Sequence, residues 1–174
     1  MKIIFIDTTH PKLIEDLKSR GFICDQAYDK SKSEILKIIK NYDGLVIRSK
    51  FKIDKIFINA AKKLKFIARA GSGTENIDIK YADKKNIKCF NAAEGNQQAV
   101  AEHALAMILN LLNNISVSDL EIRTGLWNRE KNRGFELSGK TIGIIGFGNT
   151  GSSFAKILEN FNVKIMAYDK YKKN

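Results

Sequence analysis

Gly146-Phe147-Gly148-Asn149-Thr150-Gly151 sets three glycines at the G-x-G-x-x-G spacing. Each glycine of such a motif has a separate task. Gly146 lets the chain turn tightly, Gly148 lets bare backbone approach a pyrophosphate, and Gly151 lets a helix pack closely on a strand. The amides of Asn149 and Thr150 would open that helix, where the dipole favours an anion. Asp169 follows Gly151 by 18 positions, where an acid can accept hydrogen bonds from ribose hydroxyls. The chemistry these residues suit is dinucleotide binding. A 2′-phosphate would face the Asp169 carboxylate, so NAD is expected over NADP. Lys170, Lys172 and Lys173 soften that repulsion.

A lone glycine motif can also be a turn in another α/β protein, so its surroundings matter. T-I-G-I-I-G at 141–146 is a β-branched, strand-like run. Phe154, Ile157, Leu158 and Phe161 recur at helical spacing, and V-K-I-M-A-Y at 163–168 alternates like a strand that ends at the acid. Strand, glycine turn, helix, strand and acid together form the context the motif requires.

A second group of residues suits anions. Arg48 and Arg69 each end a strand-like run, where ligands meet open parallel sheets. The guanidinium fork matches phosphate, at about 1.5–3 kcal/mol per contact. Only six of the 30 basic residues are arginine, which suggests these were kept for geometry. Surface ion pairing is the alternative. Gly71-Ser72-Gly73 reads as a loop whose amides can face a carboxylate as a nest, glycine permitting the backbone angles. A plain strand-to-helix turn is the alternative there. His10 and His103 are too few and too scattered for a metal site, and none is expected.

The elements that must position these groups are legible in the first ninety residues. Strand-like runs fall at Ile3–Ile6, Phe22–Cys24, Leu45–Arg48, Phe66–Ala68 and Ile87–Phe90, with helix-like stretches near 11–20, 31–40, 54–63 and 76–84. That alternation predicts a parallel sheet with helices on both faces. The joint to the glycine motif is an apolar helix near 98–113, whose apolar residues cover most of its circumference. It is expected to be buried between two units. Asn96 could cap it, and Glu102 and His103 on it read as structural. Residues 116–140 have no decisive period.

Composition narrows the partners. The net charge is +11, but 24 of the 30 basic residues are lysines, scattered over helix faces without interleaved aromatics. Nucleic-acid binding is therefore not expected. No apolar run reaches the roughly 18 residues of a membrane span, and the start is too short for a signal peptide. Cys24 and Cys89 are isolated in apolar segments, which suits reduced thiols in a cytoplasm.

Several ordered motifs then carry a resemblance over nearly the whole chain. L-V-I-R-S at 45–49, A-R-A-G-S-G-T-E-N-I-D at 68–78, N-A-A-E-G-N at 91–96 and V-A-E-H-A at 100–104 come first. G-L-W-N-R at 125–129 and E-L-S-G-K-T-I-G-I-I-G-F-G at 136–148 follow. The chain resembles the D-isomer-specific 2-hydroxyacid dehydrogenases, most closely their D-3-phosphoglycerate dehydrogenase branch. The resemblance implies an α/β protein with a flavodoxin-like substrate domain over 1–96. Residues 97–174 would hold an interdomain helix and the first β-α-β unit of a Rossmann cofactor domain, with the active site in the cleft between.

It also implies roles. Arg48, Ser49 and Arg69 would bind the substrate, the two arginines through its phosphate. Gly71, Ser72 and Gly73 would hold its carboxylate, with Ser72 also touching NAD. Gly146, Gly148, Asn149, Thr150, Gly151 and Asp169 would hold the cofactor. Trp127 matches a tryptophan that reaches a partner subunit, and a packing role is equally open. A homodimer or homotetramer is implied. A glyoxylate or hydroxypyruvate reductase, or a non-enzymatic NAD-binding protein on the same fold, are the alternatives.

Two departures from the family pattern stand out. Asn149-Thr150 replaces a frequent Arg-Ile, which removes one pyrophosphate contact but leaves the amides. No residue matches the family's catalytic arginine, glutamate and histidine, which come from later sequence. The cofactor site is expected to be begun here and not completed, and no catalytic residue is assigned.

Overall fold

A computed structural model describes residues Met1–Tyr171; Lys172 and Lys173, expected beside Asp169, lie outside the described residues. The chain divides into two compact units, Met1–Gly95 and Asn96–Asn174.

The first unit is the predicted alternation. In chain order it runs β1 (Lys2–Phe5), α1 (Pro11–Ser19), β2 (Ile23–Gln26), α2 (Lys32–Ile38), β3 (Gly44–Ile47), α3 (Lys55–Ala60), β4 (Phe66–Arg69), α4 (Ile79–Lys84) and β5 (Lys88–Phe90). The sheet is parallel throughout, in the order β2-β1-β3-β4-β5. This is the flavodoxin-like winding. Alternate residues over β1 and Ile6, which follows it, serve opposite faces. Ile4 and Ile6 join Ile35, Phe57 and Ala82 under α2, α3 and α4, whereas Ile3 and Phe5 join Ile14 of α1. All four residues of β3 are buried, as a strand covered on both faces requires.

The helix starts follow local chemistry. Ser31 and Glu34 form a reciprocal capping box on α2, and Asp78 accepts the amide of Tyr81 at 3.0 Å. Asp54 accepts the amide of Phe57 at 3.0 Å. Its carboxyl is held below the usual range, first by the hydrogen bond from Lys32. These caps satisfy amides that a helix cannot pair internally.

The second unit holds α5 (Gln97–Leu112), α6 (Ile115–Arg123), β6 (Thr141–Ile145), α7 (Asn149–Leu158) and β7 (Lys164–Tyr168). β6 and β7 pair in parallel, from Thr141 opposite Lys164 to Ile145 opposite Tyr168. α5 packs against α7.

The burial expected of α5 is corrected. Only Ala101 on it is buried, and Leu111 is 75 % exposed. Apolar residues do surround the helix, but α7 covers one side of it. Asn96 sits at its N-cap position without a side-chain cap bond. The unperiodic stretch is α6 followed by irregular chain to 140. α6 has no buried residue. Among the described residues no single helix is long and apolar enough to cross a membrane.

Candidate substrate and cofactor sites

The three fingerprint glycines show three distinct geometries. Gly146 has φ +93°, a left-handed turn that side chains rarely adopt, and its amide donates to Tyr168 O at 2.7 Å. A Cβ on Gly148 would meet nothing within 4 Å, so the backbone is open where a ligand would come close. A Cβ on Gly151 would stand 2.0 Å from Gly146 O and 3.3 Å from the Ile144 side chain. There the helix lies directly on the strand.

α7 begins at Asn149 with Gly148 as its N-cap and no side-chain cap bond. Its opening amides, Asn149 and Thr150 first, have no partner one turn back. Ten residues of helix give them a dipole that favours an anion. Beyond β7, Asp169 turns back to the glycine loop. Oδ2 accepts the Phe147 amide at 2.7 Å and Oδ1 the Tyr171 amide at 2.8 Å.

Gly151→Ala should therefore separate helix from strand. Overpacking of this kind typically costs about 1–3 kcal/mol, and here the obstacle is backbone. Thermal unfolding of the variant should shift down, and dinucleotide-induced stabilisation should vanish. A variant that melts and binds like the parent would show that the contact is slack.

In the first unit, the arginines stand at neighbouring strand ends. Ile47 and Arg69 are register partners of β3 and β4, and Arg48 follows Ile47. The strand expected to reach Arg48 stops at Ile47, because the amides of Arg48, Ser49 and Lys50 turn to the Asp7 carboxylate at 2.7, 2.8 and 3.0 Å. Arg48 and Ser49 are exposed, and among the described residues no ion pair engages the Arg48 guanidinium.

Arg69 is different. Its side chain is only 13 % exposed. Nε donates to Arg48 O at 3.0 Å, Nη1 donates to Gly73 O, and Nη2 pairs with Glu75 at 3.2 Å. It clamps the loop after β4 to the loop after β3. A guanidinium has five N–H donors, so two remain.

The loop Gly71-Ser72-Gly73 corrects an expectation. No residue from 70 to 74 has a left-handed φ, so it is not a nest of alternating hand, and glycine's angular freedom is not what shapes it. Side chains shape it. Arg69 holds Gly73 O, and Asn91 Nδ2 donates to Ser72 O at 2.6 Å. Gly71 O accepts the Ala92 amide at 3.0 Å. Ser72 is exposed.

Sequence reasoning did not single out Asp7, Glu75, Asn76 or Asn91. Asn76 Nδ2 reaches Arg48 O at 3.4 Å. The available signal was position alone: Asp7 is the first charged residue after an apolar strand, where a sheet's carboxyl edge begins.

A sequence profile described as D-isomer specific 2-hydroxyacid dehydrogenase, catalytic domain, matches residues 3–172. The chain belongs to this family. A D-3-phosphoglycerate dehydrogenase of Archaeoglobus fulgidus is 36% identical over 98% of this chain and 32% of its own length. A hydroxypyruvate reductase of Thermotoga maritima is 43% identical over 79% of this chain and 45% of its own. An NAD+-bound 3-phosphoglycerate dehydrogenase of Entamoeba histolytica superposes with a TM-score of 0.75 at 31% identity, covering 100% of this chain and 55% of that one. The chain of this dehydrogenase family thus spans a third to a little over half the length of these relatives.

Trp127, for which a partner contact and packing were both open, is 77 % exposed. It lies with Ile122 and Leu126 around a small surface cavity of about 210 Å³. Among the described residues no cluster of side chains suited to a metal ion is present.

Proposed function

We propose that this chain supplies the substrate-binding domain (1–96) and the opening of the NAD-binding domain (97–174) in a D-3-phosphoglycerate dehydrogenase. Such an enzyme oxidises 3-phosphoglycerate to 3-phosphohydroxypyruvate for serine biosynthesis. The observation that carries the reading is the meeting of Arg48 and Arg69 at adjacent strand ends. Among the described residues the Arg48 guanidinium is in no ion pair, and Arg69 has two donors beyond the three it uses. Together with Ser49 they suit a phosphate, and the loop at Gly71, Ser72 and Gly73 lies one strand-end away for the carboxylate.

The glycine turn fits a dinucleotide: Gly148 leaves room, Gly146 and Gly151 bring the helix start to the strand end, and Asp169, which accepts the Phe147 amide, would take the ribose. Gly146, Gly148, Asn149, Thr150, Gly151 and Asp169 would hold NAD, with Ser72 as a further contact. Acceptance of the hydride from the substrate's C2 is the chemistry NAD supplies when bound. The chain's own residues bind and orient; none is assigned the proton.

The basic balance favours a small anionic substrate in general, and nucleic acid is not proposed as a partner. Ile115, Val117, Leu120 and Trp127 are exposed, and a second subunit in a homodimer or homotetramer would cover such side chains. Cys24 and Cys89 are unbonded to each other, in keeping with a cytoplasmic protein.

Calorimetric titration tests the substrate. 3-Phosphoglycerate should bind more tightly than glycerate. Arg48→Ala should weaken 3-phosphoglycerate by about ten- to a hundredfold, the worth of one charged hydrogen-bonded contact, and leave glycerate unchanged. The greater identity to the hydroxypyruvate reductase over four-fifths of the chain favours a second reading, a reductase of the unphosphorylated acid. Equal binding of the two ligands would establish that reading instead.

For the cofactor, Asp169→Ala should narrow the preference for NAD over NADP in a protein of the relatives' length. The lost terms are two ribose hydrogen bonds and the repulsion of a 2′-phosphate. Equal use of both cofactors before mutation would remove Asp169 from the ribose.

A further inference from the structure

β1 and β3 are the pair at which the winding of the sheet reverses, since β2 lies on the far side of β1 and β4 and β5 lie beyond β3. In open parallel sheets the crevice at the carboxyl ends of such a pair is where ligands bind. Here a side chain of the protein stands in it. Asp7 follows β1, and its single oxygen Oδ2 lies 2.7, 2.8 and 3.0 Å from the amides of Arg48, Ser49 and Lys50, which follow β3. Three successive N–H groups converging on one anionic oxygen is how backbone cradles a phosphate or carboxylate ligand. Lys50 is tied down further, its Nζ donating to Tyr28 O.

The consequence falls on the residues just beyond β3. With three amides turned to Asp7, backbone N–H groups there are spent. An incoming anion meets Arg48 and Ser49 through their side chains. The carbonyl of Arg48 faces the opposite way, accepting from Arg69 Nε and Asn76 Nδ2. The loop is thus held from both its donor and its acceptor sides.

We propose that Asp7 is a built-in anion that fills the switch-point crevice and thereby aims Arg48 and Ser49 at the substrate. The proposal rests on the assignment of substrate binding to those two residues. Asp7 touches no substrate in this scheme and is a positioning residue.

Asp7→Ala and Asp7→Asn in the full chain, followed by amide NMR and titration with 3-phosphoglycerate, test it. Asp7→Ala empties the cradle and should weaken 3-phosphoglycerate by about tenfold or more, the value of hydrogen bonds to a charged group. Formate, a carboxylate without a chain, should then shift the amides of Arg48, Ser49 and Lys50 and restore most of the affinity. Asp7→Asn keeps an acceptor oxygen and should lie between.

Unchanged affinity in both variants overturns the proposal, as does formate that leaves the three amides unmoved in Asp7→Ala. Should Asp7→Ala fail to fold, Asp7→Asn decides: unaltered shifts at 48–50 with unaltered affinity overturn the proposal, and altered shifts with weakened binding support it. A parent chain that binds no 3-phosphoglycerate would defeat the substrate assignment instead. Formate-driven shifts in Asp7→Ala would still decide whether Asp7 serves as an internal anion.

Discussion

Given NAD and 3-phosphoglycerate, the 174-residue polypeptide is expected to produce no NADH above background. Oxidation of an alcohol carbon needs a group to take the hydroxyl proton as the hydride leaves. A positioned base typically contributes about a hundredfold to ten-thousandfold. Neither of the chain's two histidines lies in a motif that supplies such a base. His10 uses Nδ1 to accept the Lys12 amide at 3.3 Å, capping α1. His103 is exposed on α5 and lies in V-A-E-H-A, outside any motif that resembles the family's catalytic histidine. Arg48, Ser49 and Arg69 can hold an anion, but a guanidinium is never a base at neutral pH. Absorbance at the NADH band, followed with pure polypeptide over hours, checks this. Sustained turnover proportional to polypeptide concentration would mean that a base has been overlooked.

The half of the molecule that sequence describes best is the half with the clearest periodicity. β1 to β5 and the four helices between them were visible because each strand is a short apolar run flanked by turn chemistry. Parallel strands buried on both faces lose the polar alternation but keep their boundaries. Strand ends moved by a residue where a side chain intervened. β3 stops at Ile47 because Asp7 takes the next three amides, a long-range contact between positions 41 to 43 residues apart that local pattern cannot carry.

In the second unit the helix expected near 98–113 is α5, and the elements around the glycines were legible, whereas 116–140 was not. The roles of the glycines follow from covalent geometry, and the positive φ of Gly146 and the absent Cβ of Gly151 match that logic. α5 misled because an apolar circumference implies burial only where something covers every side. Its covered side within the unit is the one that meets α7, and Leu111 faces outward. β6 behaves similarly: Ile144 is buried while Ile145 is 91 % exposed.

For the candidate site, residue types were legible and their couplings were not. Two arginines at strand ends could be read from the sequence. That one lies open while the other clamps two loops depends on Gly73 O, Glu75 and Arg48 O being within reach. The glycines at 71 and 73 suggested a nest, and the backbone there uses ordinary angles.

Phe57→Ala is expected to destabilise the first unit by about 3–5 kcal/mol, the usual cost of emptying a buried aromatic site. Domains of this size are typically stable by only about 5–15 kcal/mol, so much of the margin would go. Phe57 lies on α3, fully buried in the larger of the two clusters, among Ile35, Ile53, Ile67 and Ala82. Its ring stands 5.8 Å from that of Phe51 at a tilt of 47°. Phe51 continues directly from the Arg48–Lys50 turn, and Ile53 then bonds Asn76 O at 2.7 Å and receives the Asp78 amide at 3.0 Å. Phe51 thus belongs to the segment that follows the Arg48–Lys50 turn, and Ile53 ties that segment to residues 76 and 78 after β4. A cavity there costs stability first and loop order second. Denaturant unfolding followed by far-ultraviolet circular dichroism gives the first. Amide exchange at Arg48, Ser49 and Ser72 gives the second, and it should quicken even where the sheet stays protected. Phe57→Leu, which refills most of the volume, should recover the larger part of both. A loss below about 1 kcal/mol on Phe57→Ala would mean that the surrounding side chains collapse into the space. The aromatic pair would then not be what supports the loops.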